Sequence, residues 1–289
     1  MGIRARRRRE VTGRGAPKTL ALALGGGGAR GLAHVVVMEA LDEIGVRPVA
    51  IAGSSIGAAI GAAYAAGLSG KAIRRHVISL AHGRGETVAR LFGARAVTLT
   101  SMIAAPFGNP MLLDAQKVCA AFLPAAVPDD FAQLEIPLIV PATDLYGRSE
   151  VAFAAGPLKP AIAASMAVPG LMRPVEHGGR VLVDGAAVDP LPFEHLRSRA
   201  DMILAVDTTV GPIAPRGVPD PWENLFATIQ LMSHTIVQEK LKRGAPDILI
   251  RPELSTFRLL DFLHASAILR AAEPVKAQVK EGVKELMKT

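Results

Sequence analysis

The sequence predicts an α/β fold built on a mostly parallel central sheet. Two observations carry that prediction. Apolar strand segments alternate with helical ones within fewer than fifty residues after Thr19, the order that parallel strands with crossover helices produce. Both of the first two strand-to-helix turns are also rich in glycine, at residues 25–31 and 53–57, where tight turns need residues free to take unusual backbone angles.

In chain order, residues 19–24 form a short apolar run ending in glycines, which reads as a buried strand. Residues 31–44 set Leu32, Val35, Val36, Met38, Leu41 and Ile44 on one stripe with Glu39, Asp42 and Glu43 opposite, an amphipathic helix stopped by Gly45. A second strand at 49–52 and a second helix at 56–66 follow. Residues 69–135 read as mainly helical and lid-like, interrupted by prolines and glycine at 106–110. Strands resume at 137–142, 150–154, 180–183 and 202–206. After a proline-rich connector at 212–221 come an amphipathic helix over 222–243, a strand over 247–251 and one helix over 265–287.

With 289 residues, half of them hydrophobic, the chain can bury a substantial core, which excludes intrinsic disorder of the whole. The single cysteine, Cys119, excludes a disulfide scaffold and reads as a small buried hydrophobe in a reducing, cytoplasmic setting. The formal charge of +7 is unevenly placed. Seven basic side chains against Glu10 give residues 1–18 a surplus of six, so everything after Lys18 carries only +1. A nucleic-acid domain would spread its basic residues over a face, so that class is excluded. The tail is expected to be solvated and disordered, with peripheral attraction to anionic lipid headgroups as its sharper reading.

Two stretches imitate membrane signals. The apolar run after the tail is about six residues where signal peptides use 7–15. The uncharged stretch at 48–70 is mostly alanine, with Gly53, Gly57 and Gly61 in it, too weakly apolar to span a bilayer.

Three motifs carry chemistry. Residues 25–31, Gly-Gly-Gly-Gly-Ala-Arg-Gly, lie between the first strand and first helix, where backbone N–H groups at a helix start form a cradle for a negative oxygen. A dinucleotide site would need an acidic residue at the end of the second strand, and Ala52-Gly53-Ser54 stands there. A P-loop fails for want of Gly-Lys-Ser/Thr. Gly53-Ser54-Ser55-Ile56-Gly57 is a G-x-S-x-G centred on Ser55 between strand and helix, the arrangement of a nucleophile elbow; Ser54 is off-centre. Both turns leave the same sheet edge, so glycine N–H groups and a serine hydroxyl converge there, the minimal machinery for acyl transfer. The best-placed base is Asp184 in Asp184-Gly185-Ala186, at the end of an apolar strand. Asp144, Asp189 and Asp207 are weaker rivals.

Together, G-G-G-x-R-G at 26–31, G-x-S-x-G at 53–57 and D-G-A at 184–186 resemble the patatin-like phospholipase family. The resemblance extends to Ala142-Thr143-Asp144, to Ser165 through Pro169 and to Asp189-Pro190-Leu191-Pro192, and more loosely to 222–273. It implies a three-layer α/β/α sandwich and a hydrolase of lipid acyl esters without a catalytic histidine, metal or organic cofactor. By that resemblance Ser55 is the nucleophile, Asp184 the general base, and the N–H groups of Gly26, Gly27 and Gly28 the oxyanion hole. Ala29, Arg30, Gly31, Gly53, Gly57, Gly185 and Ala186 support the motifs, Arg30 by shaping the loop. Gly25 departs from the aspartate many members carry before the three glycines. The implied organisation is a basic tail at 1–18, a catalytic domain at 19–210, and a helical C-terminal portion at 211–289 packing on it.

Two other readings stay open on the residues alone. One is an α/β-hydrolase with a Ser-His-Asp triad drawing on His34, His76, His82, His177, His195, His234 or His264. The other is a non-catalytic lipid- or nucleotide-binding protein using the glycine loop as an anion cradle.

Overall fold

The computed structural model describes residues 18–83, 113–209 and 217–288. The basic tail to residue 17, the centre of the expected lid at 84–112 and the first half of the proline-rich connector lie outside them.

The sheet grows outward from β1 (Leu20–Leu24), whose alternation decides its two faces. Leu20, Leu22 and Leu24 enter one core, whereas Ala21 and Ala23 enter a second. Each fully buried leucine contributes about 1.5–3 kcal/mol, and the alanines leave room for closely packed chain on the other side. Strand β2 (Ala50–Gly53) pairs parallel with β1, and β7 (Met202–Val206) pairs parallel on its other flank, followed by β8 (Ile248–Ile250). Strand β3 (Leu138–Asp144) runs parallel to β2, then takes two antiparallel neighbours, β4 (Ser149–Phe153) and β6 (Arg180–Val183). Strand β5 (Val175–His177) closes that edge. The order is β5-β6-β3-β2-β1-β7-β8, with β4 on β3.

The leucine face is covered by α1 (Ala33–Glu43), α2 (Ile56–Ala65), α3 (Gly70–His82), α4 (Ala115–Phe122), α5 (Leu158–Ser165), α7 (Ala265–Ala272) and α8 (Val275–Lys288). The alanine face is covered by Leu191, Phe193 and Leu196 with Val237 of α6 (Pro221–Arg243). This is the mixed, mostly parallel sheet with helices on both sides that the sequence predicts.

Three local expectations change. The first helix opens with a 3₁₀ turn at Gly28–Leu32 before α1. Glu39 is not on a solvated face: α3 and α8 pack over it, and it is buried in ion pairs with Arg74 at 2.6 Å and Lys276 at 2.8 Å. The single helix expected over 265–287 is two, because Pro274 has no N–H to continue α7 and its ring opposes the preceding turn. Among the described residues no helix is long and apolar enough to cross a membrane.

Candidate active site

Strands β1, β2 and β7 are parallel, so the turns that follow them open at one carboxyl edge. The turn after β2 needs both of its glycines. A Cβ on Gly53 would stand 2.4 Å from Gly57 O, and one on Gly57 would stand 2.3 Å from Leu24 O. Backbone packed this closely turns within two residues, leaving Ser55 at φ 54°, ψ −122°, a left-handed angle rare outside glycine. Such a conformation costs on the order of 1–3 kcal/mol and persists because its surroundings fix it.

One of those surroundings is Ser165 at the end of α5, whose Oγ accepts the Ser55 N–H at 2.9 Å. The Ser55 hydroxyl donates to Asp184 Oδ2 at 2.7 Å. Asp184 directly follows β6 and caps the 3₁₀ turn Gly185–Ala187; its Oδ1 accepts from Ala186 N at 2.8 Å, and its carbonyl accepts from Thr143 Oγ1 at 2.8 Å. Gly185 is required because a Cβ there would lie 2.2 Å from Pro141 O. Burial pushes the Asp184 carboxyl up to about 6, against the opposing hydrogen bonds from Ser55 and Ala186. The site therefore holds a hydroxyl hydrogen-bonded to a poorly solvated, unusually basic carboxylate. Ser54 lies fully buried beside it, its hydroxyl without a hydrogen-bond partner among the described residues.

The glycine loop is held at five points, the first of them Gly25 N–H on Val206 O at 3.0 Å. His34 Nε2 donates to Gly25 O at 2.8 Å, with burial keeping the imidazole neutral by lowering its pKa to about 4. Gly26 N–H is taken by Pro190 O at 2.9 Å, Gly26 O by Thr208 Oγ1 at 2.8 Å, and Ala29 N–H by Leu259 O at 2.8 Å. This corrects the expected set of three donors. Gly26 spends its amide on Pro190, and only the Gly27 and Gly28 amides carry no hydrogen bond among the described residues. Gly28 is fixed at φ 58° with Leu259 against it. The Ile56 N–H at the start of α2 is likewise unbonded among the described residues, a donor position next to Ser55 that the sequence motifs did not single out.

Arg30 is buried, and its guanidinium ties the loop to α6 through Gln230 Oε1 at 2.7 Å and to Phe257 O at 3.4 Å. Burial lowers its pKa to about 10, opposed by Asp207 and Asp261. Gly31 lets the 3₁₀ turn sit on Ile56, where a Cβ would meet Ile56 Cγ2 at 2.2 Å.

The rival carboxylates have other partners. Asp144 caps a turn through Tyr146 N and Gly147 N, Asp189 holds Lys240 Nζ at 2.5 Å, and Asp207 binds Arg251 and Thr209. None of the seven histidines is hydrogen-bonded to Ser55 or Asp184. They engage Gly25 O, Phe122 O, Ile78 O, Glu150, Thr209, the Phe153 ring and Asp261. Cys119 is buried with its thiol pushed up to about 12, so it is held as an inert thiol.

A family model described as patatin-like phospholipase matches residues 22–197. An uncharacterized NTE family protein of Mycobacterium tuberculosis is 37% identical over 212 residues, covering 73% of this chain and 54% of that protein. Lysophospholipase NTE1 of Candida glabrata is 27% identical over 269 residues, covering 85% of this chain and 15% of its own length. The chain thus spans about half the length of the mycobacterial relative and less of the fungal one. Among solved structures, VipD from Legionella pneumophila is similar over 92% of this chain and 67% of its own, with a TM-score of 0.49 and 16% identity.

Proposed function

The chain belongs to the patatin-like phospholipase family, and from that premise we propose that it is a serine hydrolase cleaving lipid acyl esters through a Ser55–Asp184 dyad. The observation that carries this reading is the 2.7 Å hydrogen bond from Ser55 Oγ to Asp184 Oδ2, with no histidine bonded to either residue.

As Ser55 Oγ attacks the ester carbonyl carbon, its proton passes to Asp184. The carbonyl oxygen becomes an oxyanion facing the unbonded amides of Gly27 and Gly28, with Ile56 N–H beside the nucleophile. These donors are already fixed by the loop's other hydrogen bonds, so they need not reorganise as charge develops. One such donor is worth about 10²–10³ in rate. Collapse breaks the ester C–O bond, and the leaving alcohol or lysolipid takes the proton from Asp184. Water then gives a proton to Asp184 and attacks the acyl-enzyme. Expulsion of Ser55 Oγ, reprotonated by Asp184, releases the fatty acid. Nucleophile, base and oxyanion donors all come from the chain, so these steps call on no cofactor.

The substrate class is an acyl lipid: phospholipid, lysophospholipid or a simpler ester, with lysophospholipid suggested by the fungal relative's name. The test is hydrolysis of p-nitrophenyl esters of graded chain length beside a phospholipid and its lysolipid, with Ser55→Ala as the blank. Wild type turns over, and Ser55→Ala loses both turnover and labelling by a fluorophosphonate probe. Retained labelling in Ser55→Ala overturns the nucleophile assignment.

A further inference from the structure

Helix α6 is about 35 Å long for its 23 residues, yet its buried residues, Ser233, Val237 and Lys240, all lie in its second half. The face they occupy continues into the first half through Ile229 and Phe226, which are half-buried, to Trp222, which is 51% exposed; beside it Leu225 and Met232, seven residues apart on a flanking stripe, are 38% and 53% exposed. The exposed part of α6 lies next to the site: Gln230 holds Arg30, Leu225 lies against Gly170, and the next buried residue along the helix, Ser233, donates its hydroxyl to Ala186 O, two residues from Asp184. On the other side of Arg30, the segment that bonds Ala29 N through Leu259 O exposes Leu260 and Leu263. The two segments meet through Arg30, which bonds both, and through Arg258 and Glu223 at 3.8 Å. Six of the eleven exposed large hydrophobic side chains among the described residues fall in residues 221–232 and 257–263, so the apolar surface gathers at the mouth of the site.

Its charge narrows the partner. Asp220, Glu223 and Asp261 outnumber Arg258 here, so an anionic surface is not attracted; contact must come from apolar burial, with the indole of Trp222 suited to a headgroup boundary. We infer that this rim lies on a zwitterionic lipid layer and presents the acyl ester to Ser55, an inference that rests on the lipid-hydrolase reading above. The contact is separate from any attraction of the basic tail, because it does not depend on screening by salt.

Trp222 is the only tryptophan in the chain, so its emission reports this surface alone. Titrating phosphatidylcholine vesicles into the full-length protein shifts that emission to shorter wavelength, and high salt leaves the shift in place. The double variant Met232→Glu, Leu263→Glu partitions on the order of tenfold more weakly, while soluble p-nitrophenyl ester turnover is unchanged. Unshifted emission in a wild-type protein that hydrolyses vesicle lipid overturns the inference. A shift that follows protein concentration without lipid, with doubled mass in sedimentation, assigns the surface to a second copy and also overturns it. A vesicle-dependent shift in a protein that hydrolyses no ester leaves the surface standing and removes the hydrolase reading instead.

Discussion

Ser165 Oγ accepts the amide hydrogen of Ser55 at 2.9 Å, and two residues further on Ala167 O accepts that of Asp184 at 3.0 Å. One turn at the end of α5 thus grips both Ser55 and Asp184 and sets their separation. Ser165→Ala leaves the Ser55 amide buried without an acceptor, at about 1–3 kcal/mol, and lets the strained elbow relax. The expected result is a kcat lower by roughly ten- to a hundredfold with KM little changed. Loss of melting temperature alone, with full kcat, would make Ser165 a structural residue only.

The pH profile follows from burial of Asp184. A base must be ionised to accept the Ser55 proton, and its pKa is raised to about 6. Ester kcat/KM is therefore expected to be flat above about pH 7 and to fall about tenfold per unit well below pH 6. A limb near pH 4 instead would mean that the catalytic carboxylate is an ordinary solvated one. Turnover by each of the seven single histidine variants is expected to keep the same limb.

Asp184→Asn separates activity from stability. The folded-state pKa of Asp184 lies above its unfolded value, so the group favours folding below about pH 4, and that advantage is lost as pH rises through about 6. At pH 8 the wild type bears the cost of an ionised buried carboxylate, up to about 3 kcal/mol. An asparagine can still accept from Ala186 N and donate to Ser55 Oγ. The variant is expected to lose a hundredfold or more in turnover, yet to melt at a higher temperature than wild type at pH 8, with the gap closing towards pH 4. Equal melting temperatures at pH 8 would contradict the raised pKa.

Much of this site is legible from local sequence, because Gly53, Gly57 and Gly185 answer to backbone contacts within their own turns or the adjoining strands. The boundaries of α6 are similarly local, with Asp220 capping Trp222 N and Glu223 N before Pro221 and Gly244 after Arg243. What is not legible depends on distant partners. Which loop amides remain unbonded is decided by Pro190 and Leu259, more than 160 and 220 residues from the loop, so Gly26 reads as a donor until its partner is seen. Helix α5 escapes pattern reading because Pro160 resembles a break, yet it sits in the first turn, where its missing N–H costs nothing. Strand β5 has three residues, too few for an alternation to register.

The basic tail joins the body at the edge opposite the dyad. Thr19, immediately before β1, is held by Asp201 through its amide and hydroxyl at 2.8 and 2.7 Å, and Lys18 bonds Leu286 O, while Ser55 lies beyond the other end of the parallel strands. Contact through this tail would draw on charge, about 1 kcal/mol for each basic side chain near an anionic surface, and would be screened by salt. Deleting residues 2–17 is therefore expected to weaken binding to phosphatidylserine-containing vesicles at low salt, with little difference at high salt. Binding to phosphatidylcholine vesicles and turnover of soluble esters should stay unchanged. Undiminished low-salt binding by the truncated protein would leave the tail's surplus of positive charge without a lipid role and the α6 rim as the remaining route to the bilayer.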